Sequence, residues 1–250
     1  MSKTKVKEVL LDIEIAYHNW LKKLNEINGN TRYQQKPPSL GASSAGLCNL
    51  KHYFKLKGAH KIPSTYKDMS KMRLGTLVHE DIQQALQYYF DGKVMSEISI
   101  QYNKVKGHLD VVVEIDKDTC VLIDIKTMNA YGWSKKYGRN KLPDTATWNK
   151  MQVATYALGL VSCYGYKTVH MYLLNYSKNT SLMRFEPVSD EYIDRAIEYW
   201  ENLDTLLEKW LRTKPEDMKW NNIQAPMHKW ECKYCEYSMY CPKEIKKNGK

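Results

Sequence analysis

No apolar run in this sequence is long enough to cross a bilayer, and its start does not resemble a secretory signal. The N-terminus, Met1 to Glu8, is charged, and the most apolar stretch, Val153 to Tyr164, is too short to span a membrane. We therefore expect a cytoplasmic protein without a membrane partner. No linker, repeat or low-complexity tract divides the 250 residues, so we expect a single domain over 1–250, with an N-terminal helical extension over 1–36.

The sequence also lacks the G-x-x-x-x-G-K-[ST] motif, which excludes a nucleotide-driven motor of its own. Acidic residues are in deficit, with 28 Asp and Glu against 38 Lys and Arg and a net charge of +10, which implies an anionic partner. Basic and aromatic residues interleave from Trp133 to Lys141. This segment is either a phosphate- and base-contacting element or a solvated surface loop, and its basic residues include Lys135, Lys136 and Arg139.

Two acids and a lysine lie in adjacent predicted strands. Apolar runs from Leu109 to Ile115 and from Cys120 to Ile125 predict two strands joined by a tight turn. Because side chains alternate along a strand, Asp124 and Lys126 share a face, and pairing of the strands can bring Asp110 beside Asp124. Carboxylates suit Mg²⁺ or Mn²⁺, and a neighbouring lysine can orient or help deprotonate a metal-bound water. The alternative is a turn cap at Asp110 and an ordinary ion pair between Asp124 and Lys126.

Two predicted helices carry further candidates. A helix around Leu74 to Leu86 places His79 next to its apolar stripe, where the imidazole is either a metal ligand or a core residue. A helix from Thr147 to Cys163 carries Gln152 and Tyr156 four residues apart, hence on one face, where both can meet a phosphate or a base. Glu97, on a predicted strand from Val94 to Tyr102, is either a further acid near the site or a surface charge.

Four of the six cysteines form a second candidate site. Cys232, Cys235 and Cys241 lie close together near the C-terminus, and Cys48 lies far upstream. In a cytoplasmic protein such spacing favours a metal site over disulfides, and four thiolates suit either zinc or an iron-sulfur cluster. Either would act as a staple between residue 48 and residues 232–241. We expect Cys120 and Cys163 to be small buried residues.

These elements, taken in order, resemble the motif series of the RecB-like branch of the PD-(D/E)xK nuclease superfamily. The resemblance spans roughly residues 40 to 245, and its motifs are Gly75-Thr76-x-x-His79, Gly107-x-x-Asp110, Asp124-x-Lys126 and Gln152-x-x-x-Tyr156. It implies an α/β restriction-endonuclease-like core, in which a helix precedes a mostly antiparallel β-meander that is followed by a helix and a further strand.

The resemblance also assigns roles to the candidate residues. It implies that His79, Asp110, Asp124 and the Ile125 carbonyl are metal ligands. Lys126 corresponds to the catalytic lysine, and Gln152 and Tyr156 to the pair that holds DNA near the scissile phosphate. Many relatives have Glu at the position of Asp124, and the shorter side chain here retracts the carboxylate toward the strand backbone.

The cysteine pattern resembles the iron-sulfur subset of RecB-like nucleases, which includes bacterial AddB and the CRISPR-associated exonucleases. That resemblance favours a [4Fe-4S] cluster over structural Zn²⁺, with Cys48, Cys232, Cys235 and Cys241 as its ligands.

We therefore expect a metal-dependent DNA nuclease in the cytoplasm of a prokaryotic or phage-infected cell, most simply an exonuclease acting on single strands or DNA ends. Two alternatives remain open. One is a structure-specific endonuclease, since the same chemistry cuts internal bonds if the groove stays open. The other is a non-catalytic DNA-binding subunit of a recombination or CRISPR-adaptation complex. A helicase or such a complex is the expected partner, and the oligomeric state is left open.

Overall fold

A computed structural model describes residues 15–17, 19–24, 26–27, 39–139, 141–142, 146–219, 223, 225–242 and 245. Two compact units divide the chain: residues 1–37 and 63–80 form one, and residues 38–62 and 81–250 form the other. The predicted N-terminal extension over 1–36 lies mostly outside the described residues. Those described between 15 and 27 are helical. Among the described residues, no helix combines the length and apolar character needed to cross a membrane.

Between residues 39 and 242, the described regular structure consists of six strands and five helices, together with short 3₁₀ turns. The strands are β1 Leu40–Gly41, β2 Val94–Tyr102, β3 Val105–Glu114, β4 Thr119–Met128, β5 Thr168–Ser177 and β6 Met183–Pro187. The helices are α1 Asn49–Leu56, α2 Tyr66–Tyr89, α3 Ala130–Tyr137, α4 Thr147–Tyr164 and α5 Glu191–Arg212. The 3₁₀ turns are Ala42–Ser44, Pro215–Asp217 and Lys229–Tyr234.

The strands form one mixed sheet. β2, β3 and β4 are an antiparallel meander, β5 pairs in parallel with β4, and β6 closes the far edge in antiparallel fashion. The parallel pairing of β4 with β5 requires a crossover, which contains α4. The predicted α/β core with a meander, a helix and a further strand is confirmed, as are the expected strands and the turn between β3 and β4.

Helix α4 lies in the centre of the core. Nine of its residues are buried, on more than one face. Gly159 packs so closely on β2 that an added Cβ would lie 2.8 Å from Ile100 Cβ. On another side, Thr155 Oγ1 accepts a 2.9 Å hydrogen bond from the indole of Trp200 in the amphipathic helix α5. The helix is therefore held between sheet and α5, which fixes the orientation of its polar residues.

The first part of the segment from Trp133 to Lys141, up to Tyr137, is helical and not a loop. Residues Ala130–Tyr137 form helix α3, whose N-terminus is capped by Asn129, with its side chain accepting a 2.8 Å hydrogen bond from Gly132 N. Because α3 begins directly after β4, its side chains are held on a regular element close in sequence to Lys126.

Candidate active site

The candidate site forms where β3 has no neighbouring strand on one edge. β3 pairs with β1 through Val105 and Lys106 and with β4 through residues 111–114, so residues 107–110 pair with neither. The register of β3 and β4, continued by one step, would set Asp110 opposite Asp124. Instead, Asp110 Oδ2 accepts a 2.7 Å hydrogen bond from the backbone N–H of Ile125. The carboxylate thereby occupies the position of a ladder partner, between Asp124 and Lys126.

Asp124, Lys126 and Gln152 form a closed polar triangle. Lys126 Nζ lies 2.8 Å from Asp124 Oδ2 and donates a 3.0 Å hydrogen bond to Gln152 Oε1. Gln152 Nε2 donates in turn to Asp124 Oδ1 at 3.3 Å. The Asp124 side chain is only 1% exposed, whereas that of Lys126 is 24% exposed. A buried carboxylate is therefore compensated by an ammonium group that still reaches solvent.

Tyr156 completes the arrangement one helical turn beyond Gln152. Its hydroxyl accepts the second amide hydrogen of Gln152 at 2.8 Å, so both hydrogens of that amide are used. Burial raises the pKa of Tyr156, and the charges of Asp124, Asp110 and Glu97 raise it further, so the phenol is neutral. Gly107 provides the space for the ring, since a Cβ there would lie 2.7 Å from Tyr156 Cε1.

Gln83 belongs to this site and was not predicted from the sequence. Its Nε2 donates to the carbonyl of Asp110 at 3.0 Å and to Glu97 Oε1 at 3.2 Å. Glu97 lies between Ser96 and Ile98, which pair with Val111 and Leu109 on β3. Its φ of 52° is left-handed, which is uncommon for a residue other than glycine. Of the two interpretations of Glu97, the geometry therefore favours an acid near the site. The four-residue spacing of Gln83 from His79 was the available sequence signal.

The other two predicted metal ligands are His79 and the backbone carbonyl of Ile125. His79 lies on α2 in the unit that contains residues 63–80, and its role as a ligand stays a prediction. The side chain of Ile125 is buried in the sheet, and the ligand role of its carbonyl is likewise a prediction. Within the part of the chain that the structure describes, no group of three or more His, Cys, Asp or Glu side chains is arranged to hold a metal ion.

The three basic residues predicted to contact DNA differ in their surroundings. Lys135 and Arg139 are exposed, and Lys135 Nζ lies 4.5 Å from the centre of the Tyr131 ring, which is itself 67% exposed. Lys136 is mostly buried and forms an ion pair with Glu186 on β6. Lys135 and Arg139 are therefore available to an anionic ligand, while Lys136 anchors α3 to the sheet.

The four predicted cluster ligands, Cys48, Cys232, Cys235 and Cys241, line one common cavity of about 480 Å³. Burial raises the pKa of Cys48 to about 12, with a further contribution from the charge of Glu231. Burial also raises the pKa of Cys232 and of Cys235, so ligation of these three thiols would have to remove their protons. Cys120 is buried as expected, but the expectation for Cys163 is wrong, because Cys163 is exposed.

Glu231 joins the distant halves of the cysteine site. The side chain is 5% exposed, and its Oε2 accepts a 2.7 Å hydrogen bond from Cys48 N while Oε1 accepts one from His228 N at 2.8 Å. An ion pair between Lys51 and Glu236, at 3.2 Å, adds a second link. The residues around Cys48 and those around Cys235 are therefore held together by the protein itself.

Two solved structures are similar to this chain over most of its length. The structure of SSO0001 is similar over 92% of this chain and 98% of its own, with 17% identity and a TM-score of 0.55. An alkaline exonuclease from Laribacter hongkongensis is similar over 70% of this chain and 93% of its own, with 16% identity and a TM-score of 0.44. The first likeness shows a shared fold. The comparison with curated proteins gives no significant match.

A mixed sheet carrying an Asp-x-Lys pair, with a second acid on the neighbouring strand, defines a class of metal-dependent nucleases. The sequence model of the PD-(D/E)XK nuclease superfamily matches residues 89–242, which is more than half of the chain and includes Asp110, Asp124, Lys126, Gln152 and Tyr156. The protein belongs to this superfamily and is a hydrolytic nuclease by class. Nucleases of the superfamily use divalent metals such as Mg²⁺ or Mn²⁺.

Proposed function

We propose that this protein is a metal-dependent deoxyribonuclease of the RecB-like branch, and that it acts as an exonuclease on single-stranded DNA or DNA ends. The observation that carries the proposal is the placement of Lys126 Nζ between Asp124 Oδ2 and Gln152 Oε1, with the Asp110 carboxylate on the intervening backbone. Two carboxylates beside one ammonium group that reaches solvent suit phosphodiester hydrolysis.

The donor set fits a hard divalent cation. Asp110 and Asp124 supply carboxylate oxygens and Ile125 a backbone carbonyl, which are the ligand types that Mg²⁺ and Mn²⁺ prefer. When bound, such an ion acts as a Lewis acid on the phosphate. His79 is a further proposed ligand on the basis of the sequence, so His79→Ala should raise the Mn²⁺ concentration needed for half-maximal cleavage without abolishing cleavage.

The protein's own side chains have separate tasks in this proposal. Lys126 orients the attacking water and offsets the negative charge that develops on the phosphate. Gln152 fixes the Lys126 ammonium group through its carbonyl oxygen and Asp124 through its amide nitrogen. Tyr156 holds the Gln152 amide in that orientation. The pair of helix residues thus positions the strand residues. Its role in holding DNA near the scissile phosphate is proposed from the motif resemblance alone.

The net charge of +10 and the exposed Lys135 and Arg139 support DNA as the substrate. Since α3 directly follows β4, these cations lie a short chain distance from Lys126. Each phosphate contact releases condensed counterions, so DNA affinity should fall steeply as salt rises.

Digestion of end-labelled linear and closed-circular single-stranded DNA, with Mg²⁺ or Mn²⁺, tests the proposal. An exonuclease degrades the linear strand from one end and leaves the circle intact. Cleavage of the circle would indicate a structure-specific endonuclease instead. Binding without cleavage of either substrate would indicate a non-catalytic subunit of a recombination or CRISPR-adaptation complex.

We further propose that Cys48, Cys232, Cys235 and Cys241 hold a [4Fe-4S] cluster, with structural Zn²⁺ as the alternative. The shared cavity and an all-cysteine donor set support this proposal. Cys48→Ser should lose both the brown colour of the anaerobically prepared protein and several degrees of thermal stability. Cys163→Ser, which changes an exposed cysteine outside the cavity, is the matched control. Stoichiometric zinc without iron would replace the cluster by a zinc staple.

A further inference from the structure

Three aromatic rings meet at the start of α4. The rings of Trp148 and Trp230 lie 5.0 Å apart, and the ring of His228 lies 5.0 Å from Trp148. His228 and Trp230 are nearly parallel, with an interplanar angle of 13° and centroids 6.1 Å apart. Trp230 nevertheless remains 43% exposed. Packing of the C-terminal segment onto α4 accounts for the contacts, but it does not account for a large ring that stays half in solvent.

The position of this aromatic cluster relative to the active site follows from helix geometry. Trp148, Gln152 and Tyr156 are spaced by four residues along α4, so they follow one face of the helix. One turn advances about 5.4 Å, which corresponds to one or two nucleotides of a single strand. A base stacked on this cluster would therefore lie within about two nucleotides of a phosphate held at Lys126, whose ammonium group contacts Gln152.

The 3₁₀ turn Lys229–Tyr234, which supplies Trp230, has two different faces. Glu231 is buried and holds Cys48, as described above. Lys229, Trp230, Lys233 and Tyr234 are all exposed, with Tyr234 exposed by 70%. Two cations interleaved with two exposed aromatic rings are the composition of a surface that binds phosphates and stacks bases. The charge of this face complements an anionic strand.

We propose that Trp148, His228 and Trp230 form a stacking site for one unpaired nucleobase of single-stranded DNA, with Lys229 and Lys233 contacting the adjoining phosphates. This inference rests on the proposed function, because it specifies how that active site would take a strand whose bases are unpaired. A paired base is already stacked within its duplex, so the site selects single-stranded over double-stranded DNA.

The test is an abasic scan of binding. A short single-stranded oligodeoxynucleotide is prepared with one abasic position moved along its length, and binding is measured by fluorescence anisotropy without added divalent metal. In the wild-type protein, abasic substitution at one or two adjacent positions should weaken binding on the order of tenfold, because one stacked base is lost. Trp230→Ala should weaken binding of the intact strand by a similar factor and flatten the scan.

Three further variants keep the result interpretable. Tyr164→Ala removes an exposed aromatic ring from the opposite end of α4, about 24 Å away along the axis, and should leave the scan as in the wild type. Lys229→Gln with Lys233→Gln should weaken binding of all oligonucleotides uniformly and leave the position of the abasic effect unchanged. If Trp230→Ala proves unstable in a thermal melt, Trp230→Phe should retain part of the position dependence.

A flat scan for the wild-type protein, or an unchanged scan for Trp230→Ala, would overturn the stacking site. Cleavage is measured separately with Mn²⁺, so the two proposals fail independently. Cleavage combined with a flat scan would leave the nuclease standing and remove the stacking site. A position-dependent scan without cleavage would support the stacking site and remove the nuclease.

Discussion

Gln152 accepts a hydrogen bond from Lys126 across 3.0 Å, which joins the central helix to the strand that carries the candidate catalytic pair. The same amide donates to Asp124, so one side chain sets the positions of both strand residues. A helix clamped between the sheet and α5 supplies a rigid base for this contact. The precision of the site therefore depends on the packing of α4.

Gln152→Ala should lower kcat by about 10- to 100-fold and change substrate affinity much less, because Lys126 and Asp124 lose their shared support. Tyr156→Phe should have a smaller effect on kcat and a cost of about 1 kcal/mol in stability, since one buried amide hydrogen loses its acceptor. Single-turnover cleavage and chemical denaturation measure the two effects. Gln101→Ala, at an exposed glutamine of β2, is the control. Unchanged kcat in both site variants would indicate that Gln152 and Tyr156 serve only the packing of α4.

Glu97→Gln should raise the Mn²⁺ concentration for half-maximal cleavage by about tenfold or more, because it removes a charge held against Asp110 through Gln83. The left-handed φ of 52° at Glu97 costs about 1–2 kcal/mol in stability. Backbone strain of this kind is typical of residues that act at a functional site. Glu97→Gly should lose metal affinity in the same way while keeping its stability, since glycine adopts that φ without strain.

The control for this prediction is Glu114→Gln, which removes an exposed carboxylate from the neighbouring strand. A Mn²⁺ titration of the initial cleavage rate reads out all three variants. Curves for Glu97→Gln that coincide with those of the wild type would assign Glu97 to the surface.

Because His52 is buried, we expect the protein to lose stability in mild acid. Burial lowers the pKa of this histidine to about 4, while the unfolded chain titrates near 6.5. Between pH 6.5 and pH 4, His52 is protonated in the unfolded state but stays neutral in the native state. The free energy of unfolding therefore falls as the pH decreases toward 4. The full contribution is on the order of 3 kcal/mol, of which roughly 2 kcal/mol is lost by pH 5.

Chemical denaturation at pH 7 and pH 5 measures this effect. His52→Gln should lose about 2 kcal/mol less than the wild type between these two values, whatever its stability at pH 7. His60→Gln, at an exposed histidine, should keep the wild-type dependence. Equal losses in wild type and His52→Gln would contradict the assignment.

The sequence correctly predicts the position of a site residue where that position follows from the periodicity of a single strand or helix. The period of two along β4 and the four-residue spacing along α4 put Asp124, Lys126, Gln152 and Tyr156 on their observed faces. Long-range geometry was not accessible in the same way. Glu97 reaches the site through a left-handed backbone inside a strand, and Gln83 contacts it from another element. No sequence period encodes the backbone of Glu97, and the helical spacing of Gln83 from His79 does not indicate which strand residue Gln83 contacts.

The expectation for Cys163 fails for a specific reason, and the predicted DNA contact of Lys136 stays a prediction whose surroundings the sequence did not indicate. Cys163 lies in an apolar run, but the last turn of α4 reaches solvent, as the half-exposed Val161 and Tyr164 also show. Lys136 lies in a basic segment, but Glu186 on a distant strand pairs with it, and pairing of that kind depends on tertiary structure. Composition predicts the charge of a segment and does not predict which of its cations are already occupied.

The most direct test of the central claim is single-turnover cleavage of end-labelled single-stranded DNA with Mn²⁺, comparing the wild type with Lys126→Met and Asp124→Asn. Both substitutions preserve approximate size, and removing the charge-stabilising group or the carboxylate should reduce the rate by about 100-fold or more. Salt-dependent DNA binding should persist in both variants. Metal-dependent cleavage at wild-type rates by both variants would contradict the assignment of this site as the catalytic centre.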